Sequence, residues 1–319
     1  MRNRETARRI HRIQLVRLAL FVLVALTAIP AEARTGDDSA TVESTYPGLA
    51  SGVLTYARLA DLPGDTLLRS GRVEITTDEL NGEVVRAPEP LRDQLRKNGF
   101  FLLEQLAARK LLVQVAKEHA GNAGADLSQN SEGDIVRNYL RRIIDKVEAT
   151  EADVKEFYRK NKNVFGGAKL DQVRKQLHQY ILHQKQEQTI SEHIRTLGQS
   201  VPIMISASWV REQSTFARDN PVDKSRMSGR PSLVDFGASG CRPCDMMVPI
   251  LRDIKKKYEG KLNVIFVHVR KKQVLAARYG IQGIPVQIFF DREGKEVFRH
   301  TGFFSQNEIE KKLKEMGVR

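Results

Sequence analysis

The sequence predicts an α+β chain of two domains, in which a mostly helical N-terminal domain is followed by a smaller α/β domain. Residues 77–197 carry apolar side chains at helical spacing through most of their length. Residues 231–319 instead alternate short apolar runs with helical segments, the pattern of a sheet covered by helices. A length of 319 residues also favours two domains, and a hydrophobic content of 41% is adequate for globular cores.

Residues 1–33 have the features of a secretory signal. Six arginines give a basic start, residues 18–29 form an apolar core, and small residues at 31–33 surround a cleavage site. About twelve apolar residues are too few to cross a bilayer, which takes about twenty. We therefore expect a cleaved signal and export to an extracytoplasmic compartment, a bacterial periplasm; an uncleaved N-terminal membrane anchor is the alternative.

The chain is basic throughout, with a formal net charge of +13. The signal segment holds six arginines and two glutamates, so the charge without it is +9. The remaining charge is scattered and accompanies no nucleic-acid motif, which indicates a solvated surface and no nucleic-acid partner. It allows weak association with anionic membrane surfaces.

The region after the signal divides into four parts. Residues 34–70 are predicted to form a leader with a short strand, flexible to about residue 51 and strand-like at 53–59. Residues 71–210 form the helical domain, which begins with a strand-like piece at 71–76. Residues 211–230 are predicted to be a linker with a short helix, and residues 231–319 form the last domain.

Helical periodicity and capping signals divide the helical domain further. Apolar residues between Leu95 and Val113 share one helix face, and a long helix is expected over 170–197. Ser131 and Thr150 each precede an aspartate by three residues, which predicts capping boxes at two further helix starts. Alternation from Val201 to Ala207 predicts a strand.

The two cysteines of the chain, Cys241 and Cys244, are separated by two residues at the start of a predicted helix. Unpaired N–H groups and the helix dipole favour a thiolate at such a position, so Cys241 is predicted to be the attacking thiol. Pro243 suits the first turn, and Cys244 is placed to resolve a mixed disulfide. A structural disulfide would close almost no loop, and a structural zinc ion needs about four ligands, which no second cysteine or histidine pair supplies. A redox dithiol is favoured over both.

Residues 231–319 resemble thioredoxin throughout. The resemblance is carried by the dithiol, by residues 234–236 before it, by Pro249 after it, by residues 279–285 and by Gly302, all in thioredoxin order and spacing. It implies that Asp235 is a buried carboxylate that moves protons for Cys244. It also implies that Pro285 is a cis-proline packed against the dithiol, which orients the backbone of a client protein.

Three positions depart from the thioredoxin pattern. Gly240 replaces the usual tryptophan before the first cysteine, Phe266 replaces a lysine near the aspartate, and Arg270 replaces an aspartate. Arg242, between the cysteines, adds a cation near the thiolate, which should stabilise the reduced form and make the pair more oxidising. Whether the pair oxidises or reduces its clients stays open.

The remaining predictions for this domain concern secondary structure. Residues 261–269 are expected to form a central strand, and residues 286–300 a hairpin turning at 291–294. Ser305 is expected to cap the final helix. We assign structural roles to His268 and His300, because neither has a nucleophile or metal partner at suitable spacing.

The helical region resembles the chaperone domain of SurA and PpiD, two periplasmic folding factors. Residues 74–80, 149–158 and 173–186 carry this resemblance, which implies client binding in grooves between helices. Those relatives insert a parvulin domain where this chain has only residues 165–169, so prolyl isomerase activity is not expected. A plain helical spacer is the alternative, with the leucines as ordinary core residues.

These features together predict an exported thiol–disulfide oxidoreductase. Its partners would be unfolded or cysteine-containing client proteins and a second protein that recycles the dithiol; no dissociable cofactor and no metal are expected. Two alternatives remain: a holdase chaperone whose dithiol is only a redox switch, and a dedicated reductase for one partner such as an apocytochrome.

Overall fold

The computed structural model describes residues 40–122, 130–165 and 167–319. The predicted signal at 1–33 and the first part of the predicted leader lie outside these residues. The helices are α1 Val42–Thr45, α2 Thr77–Arg86, α3 Glu89–Arg96, α4 Gly99–Asn122, α5 Glu132–Ile144, α6 Glu151–Lys160, α7 Leu170–Ser200, α8 Ala207–Arg218, α9 Pro221–Arg226, α10 Arg242–Lys257, α11 Gln273–Arg278 and α12 Gln306–Glu315. The strands are β1 Arg58–Ala60, β2 Thr66–Ser70, β3 Val73–Thr76, β4 Met204–Ser206, β5 Ser232–Gly237, β6 Asn263–His268, β7 Val286–Phe290 and β8 Glu296–Thr301.

The first sheet joins two distant parts of the chain, in the order β1-β4-β2-β3. β1 runs parallel to β4, whereas β2 is antiparallel to both of its neighbours. The strand expected over 201–207 is β4, which is only three residues long. It ends at Ser206 because this residue caps α8, its side chain accepting a hydrogen bond from Trp209 N–H. The strand expected over 53–59 is shorter as well, since only Arg58 and Leu59 of that run are extended into β1.

The described part of the predicted leader is packed rather than flexible. Val42, Val53 and Leu54 are fully buried in the same core as α4. Glu104, on α4 and 2% exposed, holds the segment in place: its carboxylate accepts hydrogen bonds from the N–H groups of Ser51, Gly52 and Leu54. Burial raises the pKa of Glu104, and these N–H donors offset part of that effect. Local polarity predicted a flexible leader, but a carboxylate about fifty residues away orders it.

The apolar face expected between Leu95 and Val113 is divided between two helices. Leu95 lies on α3, whereas Leu106 and Val113 lie on α4. The break falls between Arg96, where α3 ends, and Gly99, where α4 begins. Pro88 is the N-cap of α3 and Pro90 lies in its first turn, where the missing N–H costs little. The predicted N-caps are confirmed: the side chains of Ser131, Thr150 and Ser305 each accept a hydrogen bond from the N–H group three residues ahead. The reciprocal bond of a full capping box is formed at Thr150 and Ser305, whereas Ser131 has the single cap bond.

Gly198, near the end of α7, allows this helix to touch the ordered leader. A Cβ atom at Gly198 would overlap the backbone carbonyl of Val53, so the helix or the leader would have to move. We expect Gly198→Ala to lower the free energy of unfolding by about 3 kcal/mol, because backbone atoms cannot move aside as a side chain can. Chemical denaturation of both proteins measures the difference.

Gly133, on α5, provides the matched control for this prediction. Its added Cβ would meet only the Ser131 hydroxyl, at 3.7 Å, which is an ordinary contact. Gly133→Ala should raise the free energy of unfolding by about 0.5 kcal/mol, as expected for alanine in a helix. Equal effects of the two substitutions would contradict the close approach of α7 and the leader.

Residues 211–230, predicted to be a linker with a short helix, are mostly helical. Residues 211–218 continue α8, and α9 follows after two residues. Val222 is fully buried against the second sheet, and Asp223 pairs with Arg278 on α11 at 2.8 Å in a buried ion pair. The polar composition of this stretch concealed these partners, because they are distant in sequence.

The second sheet has the order β6-β5-β7-β8. β5 is parallel to β6 and antiparallel to β7, and β7 and β8 form the predicted hairpin. The strand expected to be central, over 261–269, is β6 and lies at an edge, since β5 is its one neighbour among the described strands. One hydrophobic cluster packs α10 and α12 on one face of this sheet, and another packs α9 and α11 on the opposite face. In the described residues, no helix is long and apolar enough to cross a membrane.

Candidate functional site

The dithiol lies where β5 leads into α10. Cys241 is the N-cap residue of α10 and is partly exposed, whereas Cys244 lies in its first turn and is 3% exposed. The two sulfur atoms form a disulfide, with 5.2 Å between the Cα atoms. The accessible sulfur is therefore at the helix N-terminus and its partner is behind it, which suits an attacking and a resolving thiol.

The turn before the dithiol explains the glycine that replaces the usual tryptophan. Gly240 has a φ of +75°, in the left-handed region that favours glycine, and the space around its missing Cβ is open. Ser239, one residue earlier, is held from two sides. Its N–H donates to His268 Nε2 at 3.4 Å, and its carbonyl accepts from Arg270 Nη1 at 3.3 Å. His268 and Arg270 therefore support the loop that carries Cys241, a role that their spacing in the sequence did not indicate.

The loop before β7 faces the exposed sulfur. The bond between Ile284 and Pro285 is cis, and the carbonyl oxygen of Ile284 lies 3.9 Å from Cys241 Sγ. Gly302 N–H donates to the Pro285 carbonyl at 2.8 Å, which ties this loop to the end of β8. The structure thus places the cis bond before Pro285 in the loop whose Ile284 carbonyl faces Cys241.

Asp235 lies fully buried in β5, beneath the dithiol. Gln287 Nε2 donates a hydrogen bond of 2.7 Å to its Oδ1, whereas Oδ2 has no hydrogen-bond partner in the described structure. A Cβ atom added at Gly237 would lie 3.4 Å from both Asp235 Oδ2 and Cys244 Cβ, so the free oxygen and the buried cysteine border the same position at the end of β5. Burial raises the pKa of Asp235 to about 6, with the Gln287 hydrogen bond acting in the opposite direction.

Of two neighbours of Asp235, Phe266 was singled out from the sequence and Gln287 was not. Gln287 was missed, although a glutamine inside the apolar run 286–290 is a signal that a buried polar partner exists. Phe266, where a lysine is usual, places its ring 3.0 Å from the same Gly237 Cβ position. An apolar ring in place of a cation is consistent with burial as the main influence on the Asp235 pKa.

The other residues singled out from the sequence lie at the periphery of the site. Arg242 is exposed at the first position of α10 and forms no hydrogen bond or ion pair with the described residues. His300 Nε2 lies 3.1 Å from the Phe303 carbonyl oxygen, and burial lowers the pKa of this histidine. Across the described ranges, no group of three or more His, Cys, Asp or Glu side chains is placed to hold a metal ion.

Comparison with known proteins agrees with this geometry. A family model described as a thioredoxin-like domain matches residues 219–317 and so includes α9. The chloroplastic thioredoxin Y of Oryza sativa subsp. japonica is 34% identical over 99 residues, which are 31% of this chain and 56% of that protein. The chain therefore spans about half the length of that relative.

Bacterial thioredoxins are covered more fully. That of Borreliella burgdorferi is 31% identical over 100 residues, 31% of this chain and 85% of its own. That of Pseudomonas aeruginosa is 33% identical over 98 residues, 31% of this chain and 81% of its own. A solved thioredoxin mutant from Halobacterium salinarum shares 23% identity with a TM-score of 0.28, over 31% of this chain and 83% of its own. Through its C-terminal region, the chain belongs to the thioredoxin family of thiol–disulfide oxidoreductases.

Proposed function

We propose that this protein is an exported enzyme that exchanges disulfides with client proteins through Cys241 and Cys244. The observation that carries the proposal is the arrangement of the two sulfurs, one accessible at the N-terminus of α10 and opposite the Ile284 carbonyl, the other buried. An extended client strand that pairs with the backbone near Pro285 would bring its own sulfur to Cys241.

The exchange takes place in two attacks, one by each cysteine. The Cys241 thiolate attacks one sulfur of a client disulfide, forms a mixed disulfide and releases the other client sulfur as a thiolate. Cys244 then gives its proton to the Asp235 carboxylate and attacks Cys241 Sγ, which releases the second client sulfur. The client gains two electrons and the enzyme loses them. The reverse sequence oxidises a client dithiol, and a partner protein restores the dithiol after each cycle.

We propose that the helical region gathers unfolded or cysteine-containing clients and presents them to this site. The SurA-like sequence pattern over residues 71–210 supports a client-binding role, and the signal-like residues 1–33 support export. Prolyl isomerase activity is not part of the proposal, because residues 165–169 replace the parvulin insert.

Trapping mixed disulfides tests the proposal. A Cys244→Ser variant can complete the first attack but cannot resolve it, so client proteins should remain bonded to Cys241 when the variant is expressed in its native compartment. We expect many trapped proteins, each released by a reductant. The Cys241→Ser, Cys244→Ser double variant is the control and should trap none.

The trapped set also separates the alternatives. One dominant species would indicate a dedicated reductase for a single partner, and an empty trap would contradict client exchange. Titration of the wild-type pair against a glutathione buffer then gives the direction of electron flow.

A further inference from the structure

A cleft of about 810 Å³ lies beside the loop that faces Cys241, and the exchange chemistry does not use it. One wall comes from the middle of α7, the start of α4 and the ordered leader. The opposite wall comes from α11, β7 and β8. The volume is in the range of ligand-binding pockets.

The cleft borders the loop that faces the dithiol. Gly283 lines it and directly precedes Ile284, whose carbonyl faces Cys241 Sγ. Tyr180, on α7, borders this junction: its Oη lies 3.9 Å from the position of a Cβ added at Gly283. Thr301 also lines the cleft, next to the residue that donates to the Pro285 carbonyl. A chain passing Cys241 along this loop would therefore enter the cleft.

The charged groups of the cleft are already paired within the protein. Glu104 accepts three backbone hydrogen bonds, as described above. Arg226 and Arg278 both pair with Asp223, and Arg299 pairs with Glu296 through two hydrogen bonds of 2.8 Å. Glu187, the remaining carboxylate of the cleft, lies 3.2 Å from His183 Nδ1. Because each charged side chain that lines the cleft already has a partner among the described residues, none is left to fix a strongly charged ligand.

Amide side chains supply the polar groups that remain unpaired. Gln105, Gln188 and Gln282 line the cleft, and none has a hydrogen-bond partner within the described part of the chain. Gln184 is already engaged, since it donates to Tyr180 Oη at 2.7 Å. A primary amide without a partner can both donate and accept hydrogen bonds, and the main chain of an extended polypeptide offers both a donor and an acceptor.

We propose that the cleft binds an extended segment of the client polypeptide next to its reacting cysteine, with Gln105, Gln188 and Gln282 bonded to the client main chain. This rests on the proposed client exchange at Cys241. Recognition of main-chain groups tolerates many side chains, so the cleft would accept clients of varied sequence.

Binding of an unreactive peptide to the whole protein tests this proposal. The probe is a fluorescently labelled peptide of alanine and serine without cysteine, so no disulfide chemistry contributes. Loss of one main-chain hydrogen bond should raise its Kd about fivefold in Gln188→Ala. Ser191→Trp, which places a ring in the cleft from α7, should weaken binding further. Gln179→Ala, an exposed glutamine on α7 outside the cleft, should retain the wild-type Kd.

The outcomes separate this proposal from the proposed function. The cleft assignment would be overturned if the wild type bound no peptide. It would also be overturned if Gln188→Ala and Ser191→Trp bound the peptide with the wild-type Kd. Turnover of glutathione disulfide by the wild type reports the dithiol alone, because this small disulfide does not need the cleft. If the cleft variants weakened peptide binding but the wild type did not turn over glutathione disulfide, peptide binding in the cleft would stand and the proposed oxidoreductase activity would be overturned.

Discussion

Cys241→Ser is expected to lower the rate of disulfide exchange by more than about a thousandfold, because the attacking sulfur is lost and a serine hydroxyl is not ionised near neutral pH. Cys244 cannot take over, since it is 3% exposed and lies behind Cys241 in the first turn of α10. The measurement is reduction of insulin by the prereduced protein, followed as turbidity.

The matched variant is Cys244→Ser, which should lose multiple turnover but still form one mixed disulfide per molecule. Suppression of client aggregation by Cys241→Ser, measured in parallel, addresses the holdase alternative and should match the wild type if holding is independent of exchange. Exchange at the wild-type rate in Cys241→Ser would eliminate the enzyme proposal.

Asp235→Asn is expected to raise the free energy of unfolding at pH 8 by about 3 kcal/mol. Burial raises the pKa of this aspartate from 3.8 to about 6, so the folded protein must keep an unfavourable buried carboxylate at pH 8. The difference between the two pKa values corresponds to about 3 kcal/mol. Asparagine carries no charge, and its amide N–H can donate to Gln287 Oε1, which has no partner in the described structure.

The sign of the pH dependence follows from the same two values. Below pH 3.8 both states hold the proton, and Asp235 imposes no cost. Between 3.8 and about 6 the unfolded state loses its proton first, so the contribution of Asp235 to stability falls as the pH rises. Above about 6 the full cost remains. Asp235→Asn should remove this fall from the profile of unfolding free energy against pH.

The exchange rate should respond in the opposite direction to the stability. Without the carboxylate, Cys244 loses its proton acceptor, and release of the mixed disulfide at neutral pH should slow by about tenfold to a hundredfold. Asp253→Asn, at an exposed position on α10, is the control and should change neither property. Unchanged stability and unchanged release in Asp235→Asn would contradict the proposed role of the buried carboxylate.

Several features follow from short stretches of sequence alone. Cys241 and Cys244 two residues apart, after an apolar strand and before an amphipathic helix, predict a dithiol at a helix N-terminus, and the structure places both cysteines there. Ser131, Thr150 and Ser305 predict their caps because a capping box is contained within four residues. The hairpin of β7 and β8 is equally local.

Other features depend on partners far apart in the chain. Glu104 binds the backbone of residues whose composition predicted a flexible leader. The ion pair between Asp223 and Arg278 packs a helix where a linker was predicted. Gln287 donates a hydrogen bond to the Asp235 carboxylate. The cleft exists only because α7 lies opposite β8. The sequence by itself therefore determined the position of the two cysteines at a helix start and the local elements, whose signals lie within a few residues of one another. Only the tertiary structure decided which buried polar groups meet, because each needs a partner once water is removed, and residue spacing does not encode that partner.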